Sequence, residues 1–580
     1  MKRPKIAIAQ FNPRPGDLLG NSRRIVECIE EAREKGAELV VFPEEAVSGY
    51  CIGDHNRNSV LIEESLKILH AVIAPATANI AAIVGLVSPD PNHSMNDGAR
   101  GARNSFAFVE NGKVKSLGHK TLLVDDGVLS DTRFFLPNDP SALEPVLLES
   151  TGTRVGVLIC QDMWDDFGDV KPARILAAKG ADVLVVINSS PYYVGRKADR
   201  LEVARRRVAE TGLPLFYVNT VGAQDNGKNI ILFDGGSFVL EPAGAVTEYP
   251  QFEQGVFLPG IDDGVKTTPK GRIEELYDAL TFGLRELFSR LDASGVVIGL
   301  SGGIDSAINA ALVHQVLGGD RLLLLNMPSR FSSATTRDNA ARQARLLGAE
   351  YKVHPIEDIV RQKKAEFELL NGTSMATLTF ENIQARERGN LLMTYSQERG
   401  YLVVGNGNKT EFQRGYATLY GDILGAVMPI GDVIKTDVYR LANYINDRFG
   451  PLVPEEVITI LPSAELSDEQ SVDEGKGDPF DYDVKAPIEL ELLEMERTPA
   501  ELRALFETRG LDPEIWNPVR GDVLVYDKMS ADAFEKLAWE VFRSIERTVF
   551  KRIQAPPILK VSRKAFGYDF RESMFVRLRF

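Results

Sequence analysis

The chain has 580 residues, 44% hydrophobic and 26% charged, an ordinary globular balance long enough for roughly two to four domains. Its formal net charge of −15 disfavours a broad nucleic-acid surface, because phosphate binding needs clustered Lys and Arg. Three cysteines (Cys28, Cys51 and Cys160), no CxxC, no His pair at ligand spacing and an apolar N-terminal run of only residues 6–9 argue against a disulfide framework, a structural zinc, a signal peptide and a membrane span, and predict a cytoplasmic protein.

In chain order, residues 6–9 predict a strand, residues 22–35 a helix ending at Gly36, and residues 38–42 a second strand. The apolar runs 155–159, 183–187 and 215–218 continue the series. Continuous apolar strands fit sheets covered on both faces, so the first half predicts a layered α/β domain over residues 1–258. Residues 259–271, rich in Gly, Pro, Asp and Thr, read as a linker, and residues 272–580 as a second domain. That half opens with an amphipathic helix over 273–291. Strands at 295–300, 321–326 and 401–404 alternate with helices at 306–317 and 338–347, which predicts a mostly parallel, doubly wound sheet. The acidic, Gly-rich stretch 467–483 predicts a mobile loop. The basic run Arg196, Lys197, Arg200 and Arg205 to Arg207 predicts a solvated helix face or subunit contact.

Three polar residues adjoin strand-like runs: Glu44, Lys120 and Cys160. A cysteine amide hydrolase needs a sulfur nucleophile, a base that takes the thiol proton and returns it to leaving ammonia, and positive charge for the oxyanion. These residue types supply those roles, and a lysine nearby would lower a thiol pKa. On spacing alone, Cys160 could equally be an inert buried thiol. The segments LVVFPEEAVSGY, HKTLLVDDGVLSDTRFF, GVLICQDMW and NSSPYYVGR resemble the nitrilase (carbon–nitrogen hydrolase) superfamily, and more closely the glutaminase domain of NAD synthetases. The resemblance implies an αββα fold, with Glu44 as general base, Lys120 as oxyanion-stabilising lysine and Cys160 as nucleophile. The pattern departs at Asp126, where a tyrosine is usual, at Asp131 for a second glutamate, at Gln161 after the nucleophile, and in the extra residues 226–229.

In the second half, VVIGLSGGIDS is a strand, a Gly-rich turn and a helix start. Gly302 and Gly303 let backbone N–H groups approach an anion, and Ser301 and Ser306 can donate to phosphate. Asp305 would repel bare phosphate and makes most sense holding Mg²⁺. No Gly-Lys-Ser/Thr follows, so this is not a Walker A loop. Ser-Gly-Gly-x-Asp-Ser resembles the loop of ATP pyrophosphatases, and later segments up to KRIQAPP resemble NAD synthetases in order and spacing. By that resemblance Glu411 matches a Mg²⁺ ligand beside deamido-NAD, Asp422 the nicotinate side of that dinucleotide, and Lys435 and Ser463 phosphate contacts. Arg386 matches a segment used around the dinucleotide or ATP, and Asn406 stands where Thr is usual.

The two resemblances together imply ATP-dependent amidation of deamido-NAD through an adenylate, with ammonia released from glutamine, and with AMP and pyrophosphate as products. They also imply Mg²⁺, an internal ammonia passage and a homo-oligomer, while the net charge and the short apolar N-terminal run predict no nucleic-acid or membrane partner. Two other readings compete. One is an ATP pyrophosphatase with a different carboxylate or tRNA substrate; the other is a non-catalytic nucleotide sensor.

Overall fold

A computed structural model of the chain describes residues 4–90, 101–125, 127–166, 168–262, 270–478, 480–567 and 569–575. Asp126 and most of the expected linker, 263–269, lie outside the described residues. The chain divides into two compact units, Met1–Lys270 and Gly271–Phe580.

In the first unit the apolar runs become strands of two sheets. The first begins with β1 (Ile6–Gln10), β2 (Leu39–Val41), β3 (Ala81–Pro89), β4 (Ala102–Glu110) and β5 (Lys113–His119). The second is built from β6 (Val146–Leu148), β7 (Thr153–Ile159), β8 (Val183–Asn188) and β9 (Leu215–Asn219). After the hairpin β10 (Val221–Asp225) and β11 (Ile230–Asp234), strands β12 (Phe238–Leu240) and β13 (Val246–Glu248) complete the second sheet, and β14 (Gly255–Phe257) returns to the first. The orders are β14-β1-β2-β3-β4-β5 and β13-β12-β9-β8-β7-β6. Both sheets are parallel at their centres, β1-β2-β3 and β7-β8-β9, and antiparallel toward their edges.

Alternation of side chains then builds four layers. Ile6, Ile8, Leu39, Val41 and Ile83 meet Val155, Val157, Val185, Ile187 and Phe216 between the sheets. Ala7, Ala9, Val40 and Val84 face the opposite way, onto Ile25 and Ile29 of α1 (Leu18–Glu34). Leu158, Leu184 and Val186 likewise meet Leu176 of α2 (Pro172–Ala178) and Val203 and Val208 of α3 (Arg196–Thr211). This is the αββα arrangement the resemblance implies.

The second unit starts with α4 (Arg272–Arg290) and holds the sheet β15 (Val296–Gly299), β16 (Leu322–Asn326), β17 (Glu350–Val353) and β18 (Leu402–Val404). Its order is β17-β16-β15-β18, all parallel. The chain winds outward from β15 to β17 and then crosses to the other side of β15. Between β15 and β18 the order reverses, and the loops leaving those two strands part to open a crevice. Helix α5 (Ile304–Leu317) follows β15, α6 (Ala334–Leu346) follows β16, α7 (Thr377–Arg399) precedes β18, and α8 (Lys409–Arg414) follows it. Further on, α9 (Lys435–Phe449), α10 (Tyr482–Leu493) and α11 (Ala531–Arg547) belong to the helical remainder, whose core of Ile488, Leu502, Phe506, Trp516 and Phe534 reaches Phe412 of α8.

Candidate active sites

In the first unit, the ends of β2, β5 and β7 deliver Glu44, Lys120 and Cys160 to one buried place. Lys120 Nζ donates to Glu44 Oε1 at 2.7 Å and lies 2.7 Å from Asp131 Oδ2. Asn104 Nδ2 donates to Glu44 Oε1 at 2.7 Å, and the Ser189 backbone N–H donates to Glu44 Oε2 at 2.8 Å. Asp131 also accepts from the Tyr50 hydroxyl at 2.8 Å. Cys160 opens a short 3₁₀ turn directly after β7 with φ of 47°, a left-handed backbone that turns its side chain out of the strand's alternation.

Asp162 joins the two halves of this site. One carboxylate oxygen accepts from the N–H groups of Thr121 and Leu122, at 3.0 and 2.7 Å; the other accepts from Ile159 N–H at 3.0 Å. The turn bearing Cys160 is thereby fixed to the segment bearing Lys120.

The charges are unequal. Burial opposes the Lys120 ammonium, yet Asp131 and Glu44 outweigh it and hold its pKa well above the usual lysine range. Burial pushes the Cys160 thiol up, Glu44 adds to that, and Lys120 pulls down without prevailing. The expected lowering by Lys120 is present but overridden, so the resting group is a thiol. Glu45, fully buried beside Glu44, is pushed well above the usual carboxylate range by burial and then by Glu44.

The basic run corrects the sequence reading. Arg205 and Arg206 are exposed, but Arg200 is buried in a 2.7 Å pair with Asp234, and Arg207 is buried against Asp165 and Asp166. Arg196 stacks over Trp164, 4.2 Å from the ring centroid. Every third or fourth residue of α3 faces the sheet, and here that face is partly cationic.

In the second unit, a cavity of about 440 Å³ opens at the switch point between β15 and β18. Ser301, Gly303, Asp305, Ser306, Glu411, Asp422, Lys435 and Ser463 all line it. Gly302 lies behind this wall with φ of 90°, where an added Cβ would sit 1.9 Å from Thr336 O. Ser301 and Ser306 hydroxyls are 3.1 Å apart, and Ser301 Oγ accepts from Gly303 N–H at 3.2 Å, which shapes the turn.

Asn408 caps α8 by accepting from Glu411 N–H at 3.1 Å, and its side-chain amide donates to Asp305 Oδ1 at 2.8 Å. Lys435 Nζ pairs with Asp305 and lies 3.3 Å from Glu411 Oε1. Burial, then the Asp305 charge, pushes Glu411 up to about 8 against the pull of Lys435. Burial opposes the Lys435 charge, but Asp305 and Glu411 outweigh it and hold it well above the lysine range. Asp422 accepts from Thr418 N–H at 2.7 Å; it is open to the cavity, and enclosure there raises its pKa.

Arg386 is not brought to the cavity. It is exposed on α7, with Nε donating to Leu419 O at 3.3 Å. Arg388 lines the cavity instead. Two residues apart on a helix are about 200° apart around its axis, so the same short motif presents opposite faces. The stretch expected as a mobile loop, 467–483, contains two 3₁₀ turns and is tied at Asp473, which accepts from Ala334 N–H at 3.1 Å and from the Thr335 hydroxyl at 2.6 Å.

Among the described residues no helix is long and apolar enough to cross a membrane, and no group of three or more His, Cys, Asp or Glu is placed to hold a metal ion.

Comparison with known proteins adds an independent finding. Residues 5–270 match the carbon-nitrogen hydrolase family, and residues 276–515 match the NAD synthase family. The chain is 32% identical to the glutamine-dependent NAD(+) synthetase of Acinetobacter baylyi, over 98% of each chain. It is 33% identical to that of Rhodobacter capsulatus, over 100% of this chain and 99% of the relative. Among solved structures, glutamine-dependent NAD+ synthetase from Acinetobacter baumannii in complex with ADP matches with a TM-score of 0.72 at 29% identity, covering 98% of each chain.

Proposed function

This chain belongs to the glutamine-dependent NAD(+) synthetases, and from that membership we propose that it converts deamido-NAD, ATP, glutamine and water to NAD, AMP, pyrophosphate and glutamate. The observation that carries the reading is the pairing of two complete chemistries in one chain: a buried Cys-Glu-Lys group in one unit and a Gly-rich, carboxylate-lined cavity in the other.

In the first site, Glu44 takes the Cys160 proton as sulfur attacks the side-chain amide of glutamine. The raised thiol pKa supports this order, because deprotonation then accompanies attack. Lys120, held on Glu44 and Asp131, faces the developing oxyanion. The tetrahedral adduct collapses, Glu44 returns the proton to nitrogen, and ammonia leaves a thioester. Water then attacks the thioester carbon, with Glu44 again as base, and glutamate departs.

In the second site, the nicotinate carboxylate of deamido-NAD attacks the α-phosphorus of ATP. A P–O bond forms, pyrophosphate leaves, and the carboxylate becomes an acyl adenylate. Ammonia attacks the acyl carbon, AMP leaves with the bonding electron pair, and the surplus proton passes to solvent. The Ser301 and Ser306 hydroxyls, the Gly-rich turn and Lys435 bind phosphate oxygens, Ser463 adds a further phosphate contact, and Asp422 faces the nicotinate end.

Asp305 and Glu411 fit a divalent cation. They face each other across a single ammonium, and the elevated Glu411 pKa reflects burial and then repulsion by Asp305, both of which a cation between them would offset. Mg²⁺ is usually held by one or two carboxylates plus substrate phosphates, a role Asp305 and Glu411 can fill. When bound, it would neutralise charge on the departing pyrophosphate.

Free thiols at Cys28, Cys51 and Cys160 support a cytoplasmic setting. The exposed Leu369, Leu370 and Leu378 support a homo-oligomer.

The test is to incubate the protein with ATP, deamido-NAD and either glutamine or ammonia. NAD, AMP and pyrophosphate are expected in equal amounts from both nitrogen sources. ADP in place of AMP, or no NAD, would reject the reading.

A further inference from the structure

The cavity of the second unit carries three cationic side chains of different standing among its described lining residues. Lys435 is committed to Asp305 and Glu411. Lys551 Nζ donates to Gly415 O at 2.7 Å and Ala417 O at 2.6 Å. Arg388 uses Nε for Met327 O at 3.0 Å, and its two terminal nitrogens have no partner among the described residues.

Arg388 is half-buried, and a guanidinium that lines a cavity without a carboxylate partner keeps its terminal N–H groups available to an anion. Burial here lowers the Arg388 pKa to about 10, with Glu465 and Asp422 offsetting only part of that loss. Neither carboxylate forms an ion pair with Arg388 among the described residues. Glu465 accepts from the Thr336 hydroxyl at 2.6 Å and from Ser333 N–H at 3.2 Å, and Asp422 accepts from Thr418 N–H at 2.7 Å.

The position is also fixed. Arg388 lies on α7, and its bond to Met327 O fastens it just beyond the end of β16. The remaining two nitrogens form one edge of a planar fork, the geometry that meets a phosphate through two parallel hydrogen bonds.

We infer that Arg388 is a phosphate-binding residue of this cavity, with its free guanidinium edge receiving two oxygens of a substrate phosphate. This deepens the proposed function and rests on it for the identity of the substrates. The phosphate belongs either to ATP or to the diphosphate bridge of deamido-NAD, and the two sources are separable by kinetics.

The experiment uses the full chain with ammonia as nitrogen source. Arg388→Gln keeps an amide donor for Met327 O but removes the charge and the fork; Arg388→Lys keeps the charge alone. Losing a charge-assisted pair of hydrogen bonds corresponds to roughly a ten- to hundred-fold rise in KM. A rise in KM for ATP alone assigns the nucleotide triphosphate as the source, and a rise for deamido-NAD alone assigns the dinucleotide. In either case kcat should stay within a few-fold, with Arg388→Lys intermediate. Glutamine hydrolysis by the same variants should be unchanged, which checks folding of the preparation.

Both Michaelis constants within two-fold of the parent would overturn the inference. So would a fall in kcat with unchanged Michaelis constants and a lowered Tm, which would mark Arg388 as a structural pin for Met327. Calorimetric titration with inorganic pyrophosphate and with ATP keeps this test separate from the proposed reaction. If the parent chain made no NAD yet bound either anion at least tenfold more tightly than Arg388→Gln, the reaction would be wrong and the phosphate site would stand. Equal binding by parent and variant would overturn the site itself.

Discussion

At the scale of single residues, the glutaminase site is governed by who carries charge. Cys160 lies 6% exposed, and its pKa is raised by burial and by Glu44, so the thiolate is scarce at neutral pH. Alkylation by iodoacetamide should therefore accelerate steadily as pH rises from 6 to beyond 9, when followed by peptide mass spectrometry. A rate that is flat across that range would mean a preformed thiolate and would contradict the order of proton transfer given above. Glu44, Lys120 and Cys160 are singled out through the family resemblance, since spacing alone leaves Cys160 open to being an inert buried thiol, and the structure brings the three together. Asn104, Ser189 and Glu45 are not singled out, since their importance comes from hydrogen bonds and burial near Glu44 that no local pattern encodes. Arg386 shows the converse limit: a motif marks the helix turn, while the side of the helix decides which arginine reaches the cavity.

At the scale of elements, two connections do work that the strands alone cannot. Asp162 links the Cys160 turn to the loop after Lys120 through three backbone N–H groups. In Asp162→Asn an amide group faces at least one of those donors, a mismatch of about 1–3 kcal/mol. Glutamine hydrolysis should drop roughly ten- to hundred-fold on that scale, while ammonia-supported synthesis stays at the parent rate; an unchanged glutaminase rate would refute the link. Burial, partly offset by those backbone donors, raises Asp162 from 3.8 to about 6. Its charged form is thus disfavoured in the fold, so its contribution to stability is full below 3.8 and is lost as pH rises to about 6. Chemical denaturation of parent and Asp162→Asn between pH 4 and 7 should show a shallower loss for the variant.

Helix α3 holds the second connection. Arg200→Ala would leave Asp234 buried without its cation, at a cost of about 3–5 kcal/mol in unfolding free energy. A loss under about 1 kcal/mol would return this residue to the surface-pair class. The sequence marked that run as solvated because charge runs usually are. It could not show that the helix turns every third or fourth cation toward the sheet. Edge strand β5, largely exposed and bearing Lys113 and Lys115, escaped the apolar-run reading for the same reason that β7 and β8 did not: it has one neighbour and little to bury. Helix α6 starts at Ala334, four residues before the predicted start at 338, because Ser333 caps it by accepting from Thr336 N–H at 3.1 Å.

At the scale of the whole molecule, the account needs two sites that do different chemistry in separate compact units. The alternation of apolar runs with helical runs made both α/β layers readable, and the Gly-rich turn after β15 marked the crevice. The reversal of strand order between β15 and β18, which opens that crevice, is a property of the sheet and is not written in any one segment. The division of labour is tested most directly by Cys160→Ala, assayed for NAD with saturating ATP and deamido-NAD and with glutamine or ammonia supplied in turn. The glutamine-supported rate should fall by at least about a thousand-fold, as expected when a covalent nucleophile is removed, while the ammonia-supported rate remains near that of the parent. Equal loss with both nitrogen sources, or undiminished use of glutamine, would contradict the account.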